Sequence, residues 1–460
     1  MRSLQVQVPH VALLAFPFTS HGTPMLILAQ KLAGMAHDVR FSFFTTSASM
    51  ASMSEQIAAC KDIANLSFHA VPDGLPEGFA FSPQRPEEPV QLFMRSAPDG
   101  LRQALAAVPT VSCLISDCFL PLTQDLADEL GVPRISFWTA GASSLSVHLY
   151  THLIRDTTDA RGLKPESDGD VAVDCIPGLP FLTLQDLPEG VVSGRLDSPF
   201  SLLLEDVART APRSSAIIVN TFDAFESFSL PAIRNKVPAC LFVGPLYRQT
   251  ETADDHHGCL PFLNSHQPNS VIYVCFGTVV DLLLPKHELV GLAEGLESSG
   301  QPFLWSLKPE RQADLPAGFV DRVKGRGLLV PWAPQPLVIR HASTAVFFFH
   351  VGYNSLLENL VDGVPMICRS AWADNHVNSR LVERVLGTGL RLRGGTCTKE
   401  SVEEAIRLLL HEGEGKAMRE KVGYWKSKAQ DAMAPGGSSI ENLKALLQIL
   451  RGAGPNGSVM

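Results

Sequence analysis

The sequence predicts an α/β protein built from two doubly wound parallel sheets. Short, fully apolar runs alternate with segments of helical spacing along almost the whole chain, as expected for strands joined by crossover helices. The chain has 460 residues, which is too many for one hydrophobic core. Glycine, hydroxyl and other polar residues directly follow several apolar runs, so they should lie at the carboxyl ends of the strands, where ligands bind in such sheets.

Composition and charge argue against several classes of protein. Apolar residues make up 45% of the chain, and the net charge of −9 argues against a nucleic-acid partner. No apolar run reaches about 18 residues, so we expect no transmembrane helix and no stable membrane insertion. His10 and Pro17 interrupt the apolar start and argue against export, while the scattered cysteines suit buried thiols in a reducing compartment. We therefore expect a cytoplasmic monomer with no metal site.

The first half is predicted to form one sheet with its crossover helices. Residues 67–88 are rich in Pro, Gly and acidic residues and are predicted to be an irregular loop that helps to build a substrate pocket. The polar stretch 156–174 is also predicted to be a loop. The remaining pattern predicts strands at 11–16, 39–45, 112–116, 132–138, 216–220 and 241–246, and helices at 24–33, 47–59, 89–108 and 198–211.

The second half repeats the alternation. We predict a first domain over 1–246, a linker over the polar stretch 247–258, and a second domain over 259–460 whose last helix can pack back on the first domain. The nine residues after Arg451 resemble a frayed tail. The pattern predicts strands at 270–278, 302–307, 327–331, 345–349, 364–368 and 389–392, and helices at 285–298, 356–360, 399–411, 415–433 and 440–450.

A histidine and an aspartate each follow a predicted strand of the first half. His21 lies between the first strand and the first helix, and Asp117 follows the strand 112–116. A carboxylate that accepts from one imidazole nitrogen fixes the tautomer and supports the charge that develops when the other nitrogen takes a proton. We therefore predict that His21 is a general base and that Asp117 orients it. The alternatives are a surface position for His21 and a helix N-cap for Asp117.

Three other residues are candidate ligand contacts near the carboxyl edges of the two predicted sheets. Thr139 begins the segment after the strand 132–138 and is a candidate contact for a sugar hydroxyl. His148, one to two turns later, is a candidate for the acceptor pocket, with a core or surface position as the alternative. Thr278 follows the first strand of the second half and can donate to a phosphate, or simply cap a helix.

The stretch 332–375 combines three kinds of binding group. Trp332 follows one buried strand, and Gly352 permits the tight turn between the next strand and a helix whose first amides, with the side chains of Asn354 and Ser355, should face outward as donors. Such a helix start is a ready anion site. The third strand leads to an Asp/Asn pair at Asp374. An aromatic face, a phosphate cradle and polar groups for a polyol at one edge together describe a nucleotide-sugar site.

This stretch resembles the signature box of the plant family 1 UDP-glycosyltransferases, which runs WAPQ, HCGWNS, E and DQ over the same span. The chain departs from that pattern at Val351, Tyr353 and Asn375, where the family usually has Cys, Trp and Gln. Beyond the box, the runs HVALLAFPFTSH, DGLPEGFAF, FWTAGASSLSVHLY, DLPEGVVSG and GGSSIEN are similar to the flavonoid 3-O-glycosyltransferases of that family. The resemblance implies the GT-B fold, in which two Rossmann-like domains face each other across a cleft, and inverting, metal-independent chemistry.

The resemblance also implies a role for each matching residue. The uridine should lie against Trp332 and bond the Ala333 backbone and Gln335, while Glu358 should hold the ribose. The diphosphate should meet His350, Asn354, Ser355 and Thr278 beside Gly352 and Tyr353, and the sugar should meet Asp374, Asn375 and Thr139. The acceptor is expected to contact Phe18, Thr19, Phe119 and His148.

The implied activity is transfer of a sugar from a UDP-sugar to the 3-hydroxyl of a flavonol, with no cofactor besides this co-substrate. Asn375 is one methylene shorter than Gln, so it should serve a glucose hydroxyl poorly, and its position favours UDP-rhamnose. Tyr353 in place of Trp is a second change beside the same sugar pocket, where its hydroxyl is expected to be a new donor. Glucose and galactose remain alternatives for the donor, and a terpenoid or hormone for the acceptor. A nucleotide-sugar epimerase and a non-catalytic nucleotide-sugar binder are the other classes; the His21 and Asp117 pair disfavours both.

Overall fold

The computed structural model describes residues 8–18, 20–80, 82, 85, 87–165, 167–237, 239–247, 255–277, 280–281 and 284–452. The predictions for Thr19, Thr278, most of the linker 247–258 and nearly all of the tail after Arg451 lie outside these residues. Two parallel sheets, one in each half of the chain, are the framework of the molecule. This agrees with the predicted α/β class.

The first sheet has seven parallel strands in the order β3-β2-β1-β4-β5-β6-β7. The chain moves outward from β1 to β3 and then returns to the other side of β1 at β4. This reversal opens a crevice at the carboxyl ends of β1 and β4, the usual ligand position in doubly wound sheets. The strands are β1 His10–Leu14, β2 Arg40–Thr46, β3 Leu66–Val71, β4 Cys113–Asp117, β5 Arg134–Trp138, β6 Ala216–Val219 and β7 Cys240–Phe242.

Helices cover both faces of this sheet, and two predictions about its loops are wrong. Strand β3 lies within the stretch predicted to be irregular, and the polar stretch after Asp156 begins as a helix. The apolar pattern did not indicate this strand, because it contains polar side chains. Ser67 bonds Ser42 and His69 and does not pack in an apolar core. The helices of this half are Gly22–Met35, Ser47–Ser52, Ser54–Ala58, Glu88–Ala106, Thr123–Leu130, Ala142–Leu149, Thr151–Ala160, Pro199–Thr210, Asp223–Glu226 and Leu230–Arg234.

The second sheet has six parallel strands in the order β10-β9-β8-β11-β12-β13. The reversal between β8 and β11 again opens a crevice at their carboxyl ends. The strands are β8 Val271–Cys275, β9 Phe303–Ser306, β10 Gly327–Val330, β11 Thr344–Phe349, β12 Met366–Cys368 and β13 Gly389–Arg391. The helices are Cys259–Asn264, Lys286–Ser298, Pro309–Gln312, Phe319–Arg322, Gln335–Ile339, Tyr353–Asp362, Asn375–Arg380, Lys399–His411, Gly413–Met433 and Ser438–Gly452.

The last helix, Ser438–Gly452, packs on the first half of the chain. Leu443, Leu446, Leu447 and Leu450 are buried in one cluster with residues of β1, β4 and β5. Asn442 Nδ2 also donates to the carbonyl of Phe242 at 2.8 Å. The exact domain limits stay a prediction, but the core of the first sheet includes the far end of the chain. In the described parts of the chain, no helix combines the length and the apolarity needed to cross a membrane.

Candidate active site

His21 and Asp117 meet at the crevice of the first sheet. His21 precedes the helix Gly22–Met35, and Asp117 is the last residue of β4. The Nδ1 atom of His21 lies 2.8 Å from Oδ2 of Asp117, whose other oxygen accepts from the Phe119 amide at 2.9 Å. Asp117 is fully buried. Because the carboxylate can only accept, Nδ1 carries the hydrogen, and Nε2 is the nitrogen that can take a proton.

Thr139 lies against this pair. Its hydroxyl oxygen is 3.2 Å from Nδ1 of His21, and its carbonyl accepts from Nδ2 of Asn220 at 3.2 Å. The residue is 7% exposed. The structure therefore brings Thr139 to the histidine, while its predicted contact with a sugar hydroxyl stays a prediction.

Aromatic side chains surround His21. The ring of Phe119 lies 4.7 Å from its imidazole, and the ring of Phe16 lies 5.3 Å from it. Phe200 bridges the two halves, because its ring is 6.4 Å from Phe119 and 6.1 Å from Trp372. Phe119 was predicted from the sequence, whereas Phe16, Phe200 and Trp372 were not. Phe16 could have been found from its place at the end of the first apolar run, but nothing near Phe200 or Trp372 indicated that they meet.

Two further residues that were assigned to the acceptor side belong to this aromatic group. The ring of Phe18 lies 5.2 Å from that of Phe16, and the ring of His148 lies 5.4 Å from that of Trp138. Burial lowers the pKa of His148 to about 4, so its imidazole is neutral near pH 7. Its Nδ1 is buried and has no hydrogen-bond partner among the described residues. Such an atom is suited to a polar group of a bound ligand.

On the other side of the cleft, three predicted donor residues form one network. Nε2 of Gln335 donates to Oγ of Ser355 at 2.9 Å and to Oε2 of Glu358 at 2.7 Å. Trp332 and Ala333 precede this network in the loop after β10, and the Trp332 side chain is 50% exposed. The amide nitrogen of Gln335 is therefore engaged by its neighbours, and the open aromatic face beside it is that of Trp332.

The helix Tyr353–Asp362 begins three residues earlier than predicted, because the polar run at Tyr353 was interpreted as part of the turn. Gly352 is its N-cap residue, and no side chain among the described residues caps its first amides. These amides can therefore bind an anion. Nδ2 of Asn354 donates to the carbonyl of Ser20 at 3.0 Å and links this helix start to the residue before His21.

His350 lies between two glycines at this helix start. A Cβ atom at Gly277 would lie 2.9 Å from the imidazole, and one at Gly352 would lie 2.5 Å from it, so the ring fills the space that these glycines leave. Burial lowers the pKa of His350 to about 4, and the ring is neutral near pH 7. Val351 has a φ of 65°, which is rare for a β-branched residue. The turn is thus held in one strained conformation.

One expectation about the sugar site needs correction. The hydroxyl of Tyr353 was expected to be a donor beside the sugar, but it donates to Oε2 of Glu226 at 3.1 Å, because the side chain is buried against the first half. Asn375 is 4% exposed, and its side-chain amide is best satisfied with the nitrogen, not the oxygen, placed against the carbonyls of Trp372 and His350, each at 3.1 Å. Burial raises the pKa of Asp374, whose Oδ2 accepts from Asn378 at 3.0 Å.

Within the described residues, no three His, Cys, Asp or Glu side chains group as a metal site would require. The acceptor and donor candidates instead face one another across the cleft, with His21 on one side and the uncapped helix start on the other.

The chain is similar to known proteins over almost its whole length. Residues 215–421 match the family model described as UDP-glucoronosyl and UDP-glucosyl transferase. A flavonol 3-O-glucosyltransferase of Arabidopsis thaliana is 39% identical, with 95% of this chain and 96% of the relative covered. An anthocyanidin 3-O-galactosyltransferase of Actinidia chinensis var. chinensis is 38% identical, with 96% and 97% covered. The crystal structure of a UDP-glucose: anthocyanidin 3-O-glucosyltransferase in complex with UDP has a TM-score of 0.89 and 34% identity, with 96% of this chain and 99% of that chain covered.

The exposed face of Trp332 yields a test of nucleotide binding. We expect Trp332→Ala to weaken UDP binding, measured by calorimetry, by roughly 5- to 150-fold, because stacking on a base contributes about 1–3 kcal/mol. Every UDP-sugar should be affected alike, since the uracil is common to all of them. Tyr424→Ala is the matched control, because Tyr424 is an aromatic residue that is 55% exposed on the helix Gly413–Met433. Equal affinities of the two variants would contradict the stacking role.

Proposed function

Because the chain belongs to the family of UDP-glucoronosyl and UDP-glucosyl transferases, we propose that it transfers a sugar from a UDP-sugar to the 3-hydroxyl of a flavonol. The observation that supports this most is the His21 and Asp117 pair, which lies in an aromatic pocket opposite an uncapped helix start. The relatives that match over almost the whole chain are named for flavonol and anthocyanidin acceptors. A flat, aromatic acceptor suits walls made of phenylalanine rings.

We propose that His21 acts as the general base. Its Nε2 would take the proton of the acceptor hydroxyl, and that oxygen would attack the anomeric carbon from the side opposite to the leaving UDP. The new carbon–oxygen bond forms as the bond to UDP breaks, so the configuration inverts. Asp117, bonded to Nδ1 at 2.8 Å, stabilises the positive charge of the imidazolium.

The charge that develops on UDP needs a partner at the other side of the cleft. The first amides of the helix Tyr353–Asp362 and the side chains of Asn354 and Ser355 are donors suited to the diphosphate. Neutral His350 can add one more N–H, and its low pKa avoids a competing titration near pH 7. Donors that are fixed before the reaction stabilise a developing charge without reorganisation. We therefore propose a reaction that needs no metal ion.

The donor sugar is the finer part of the proposal. The relatives are named glucosyltransferases and galactosyltransferases. The short side chain of Asn375 argues for UDP-rhamnose, because its amide nitrogen is engaged by two backbone carbonyls at 3.1 Å. A glucose hydroxyl placed to bond the longer Gln side chain would then be unpaired. Rhamnose lacks the 6-hydroxyl and belongs to the opposite configurational series of sugars. We keep UDP-rhamnose as the prediction and UDP-glucose and UDP-galactose as the alternatives.

The predicted base can be tested by substitution. We expect His21→Ala to lower kcat by about 10²- to 10⁴-fold and to leave the affinity for UDP nearly unchanged, because the base acts on the acceptor. Asp117→Ala should lower kcat less, since the imidazole is still present and only the carboxylate that orients it is lost. His37→Ala is the control and should retain turnover, because His37 is exposed. Full turnover by His21→Ala would disprove the assignment.

The whole function is tested by incubating quercetin with UDP-rhamnose, UDP-glucose, UDP-galactose and UDP-xylose and identifying products by mass spectrometry. We expect a quercetin monoglycoside linked at the 3-hydroxyl, with UDP-rhamnose used best. Binding of UDP without any product would favour the non-catalytic binder. Preference for UDP-glucose by about tenfold or more would show that the argument from Asn375 is wrong.

The donor prediction has its own variant. Asn375→Gln should raise the use of UDP-glucose relative to UDP-rhamnose by roughly 5- to 150-fold, which corresponds to about 1–3 kcal/mol for one buried polar group. Asn264→Gln makes the same chemical change at an exposed position outside the cleft and should leave the ratio unchanged. An unchanged ratio in both variants would remove Asn375 from the list of specificity residues.

A further inference from the structure

The buried carboxylate of Glu226 accepts hydrogen bonds from both halves of the chain. Its Oε1 accepts from the amide of Ser143 at 2.8 Å, and its Oε2 accepts from the amide of Ala142 at 3.0 Å and from the hydroxyl of Tyr353 at 3.1 Å. Glu226 is 0% exposed. The N-cap residue of the helix Ala142–Leu149 makes no side-chain hydrogen bond to the helix. Glu226, which is far from this helix in the sequence, instead accepts from two of its first amides.

The contact is closely packed. A Cβ atom at Gly141 would lie 2.7 Å from a ring carbon of Tyr353 and 3.0 Å from Oε2 of Glu226, so no larger residue fits there. Tyr353 is 5% exposed, and its pKa is raised well above its usual value, mainly by burial and then by the nearby charge of Glu226. The phenol is therefore neutral near pH 7, and its hydroxyl is a donor.

This contact joins the two elements that hold the reacting groups. Tyr353 is the first residue of the helix whose start faces the diphosphate. On the other side, the helix Ala142–Leu149 includes His148 and follows Thr139, whose hydroxyl lies 3.2 Å from His21. The neighbouring link between Asn354 and Ser20 is exposed, so it resists displacement less than the buried contact does.

We propose that Glu226 and Tyr353 are a pair of positioning residues that fix the distance between the general base and the leaving group; this inference rests on the proposed function. In-line transfer needs the acceptor oxygen within about 3–3.5 Å of the anomeric carbon, and a displacement of about 1 Å can cost ~10²-fold in rate. The pair touches neither substrate in this assignment. Its loss should therefore lower the rate of transfer and leave nucleotide binding intact.

The test is Tyr353→Phe, which removes one oxygen atom. We expect kcat for transfer to fall by about tenfold, the affinity for UDP to change by less than about twofold, and the fraction of UDP-sugar lost to hydrolysis to rise, because water still reaches a misplaced donor. The matched control is Tyr150→Phe. Tyr150 is also buried, but its hydroxyl bonds the carbonyl of Ala232 within the same half at 3.4 Å, so kcat should be retained.

Glu226→Gln and the double variant show whether the hydroxyl acts through the carboxylate. We expect Tyr353→Phe to have a smaller effect on kcat in the Glu226→Gln background than in the wild type. Fully additive effects, an unchanged kcat in Tyr353→Phe, or a loss of UDP affinity as large as the loss of kcat would each overturn the proposal. If Glu226→Gln does not fold, because two helix amides lose their acceptor, the comparison of Tyr353→Phe with Tyr150→Phe still decides. Failure of the proposed function would look different, since the wild type would then form no glycoside.

Discussion

The hydrogen bond between His21 and Asp117 exists because β1 and β4 are parallel neighbours. Parallel pairing brings the carboxyl ends of both strands to one edge, and the reversal of strand order there leaves a crevice instead of a covering helix. The same rule acts in the second sheet, where β8 and β11 deliver Gly277 and His350 to a common edge. Both halves of the candidate site are therefore consequences of parallel pairing at two reversal points.

Much of this could be predicted from local sequence. Fully buried strands are short apolar runs, and the residues that follow such a run must lie at the sheet edge, so His21, Asp117 and His350 could be placed from the sequence alone. Strand β3 could not, because Ser67 and His69 interrupt its apolar pattern and bond other polar side chains. Phe200 and Glu226 were missed for another reason. Their contacts with Trp372 and Tyr353 join residues far apart in sequence, and no local pattern encodes such a meeting.

Charged groups also connect the halves away from the His21 and Asp117 pair. Asp186 is fully buried and accepts from Arg380 at 2.8 Å and from Arg391 at 2.9 Å. Buried ion pairs add little net stability, but removing one partner leaves an uncompensated charge, so they favour one relative orientation of the parts that they join. Together with Glu226 and Tyr353, this group explains why residues of two sheets can form one site with fixed geometry.

The position of the helix Ser438–Gly452 has a consequence for how the protein is made. Its leucines complete the core beneath β1 and β4, yet in the sequence they follow the whole of the second sheet. During synthesis the first sheet would therefore emerge with part of its apolar surface uncovered and would wait for the whole second half before its core closes. For this enzyme, completion of the first sheet is therefore coupled to synthesis of the second, and a chaperone would have most to protect in the interval between them.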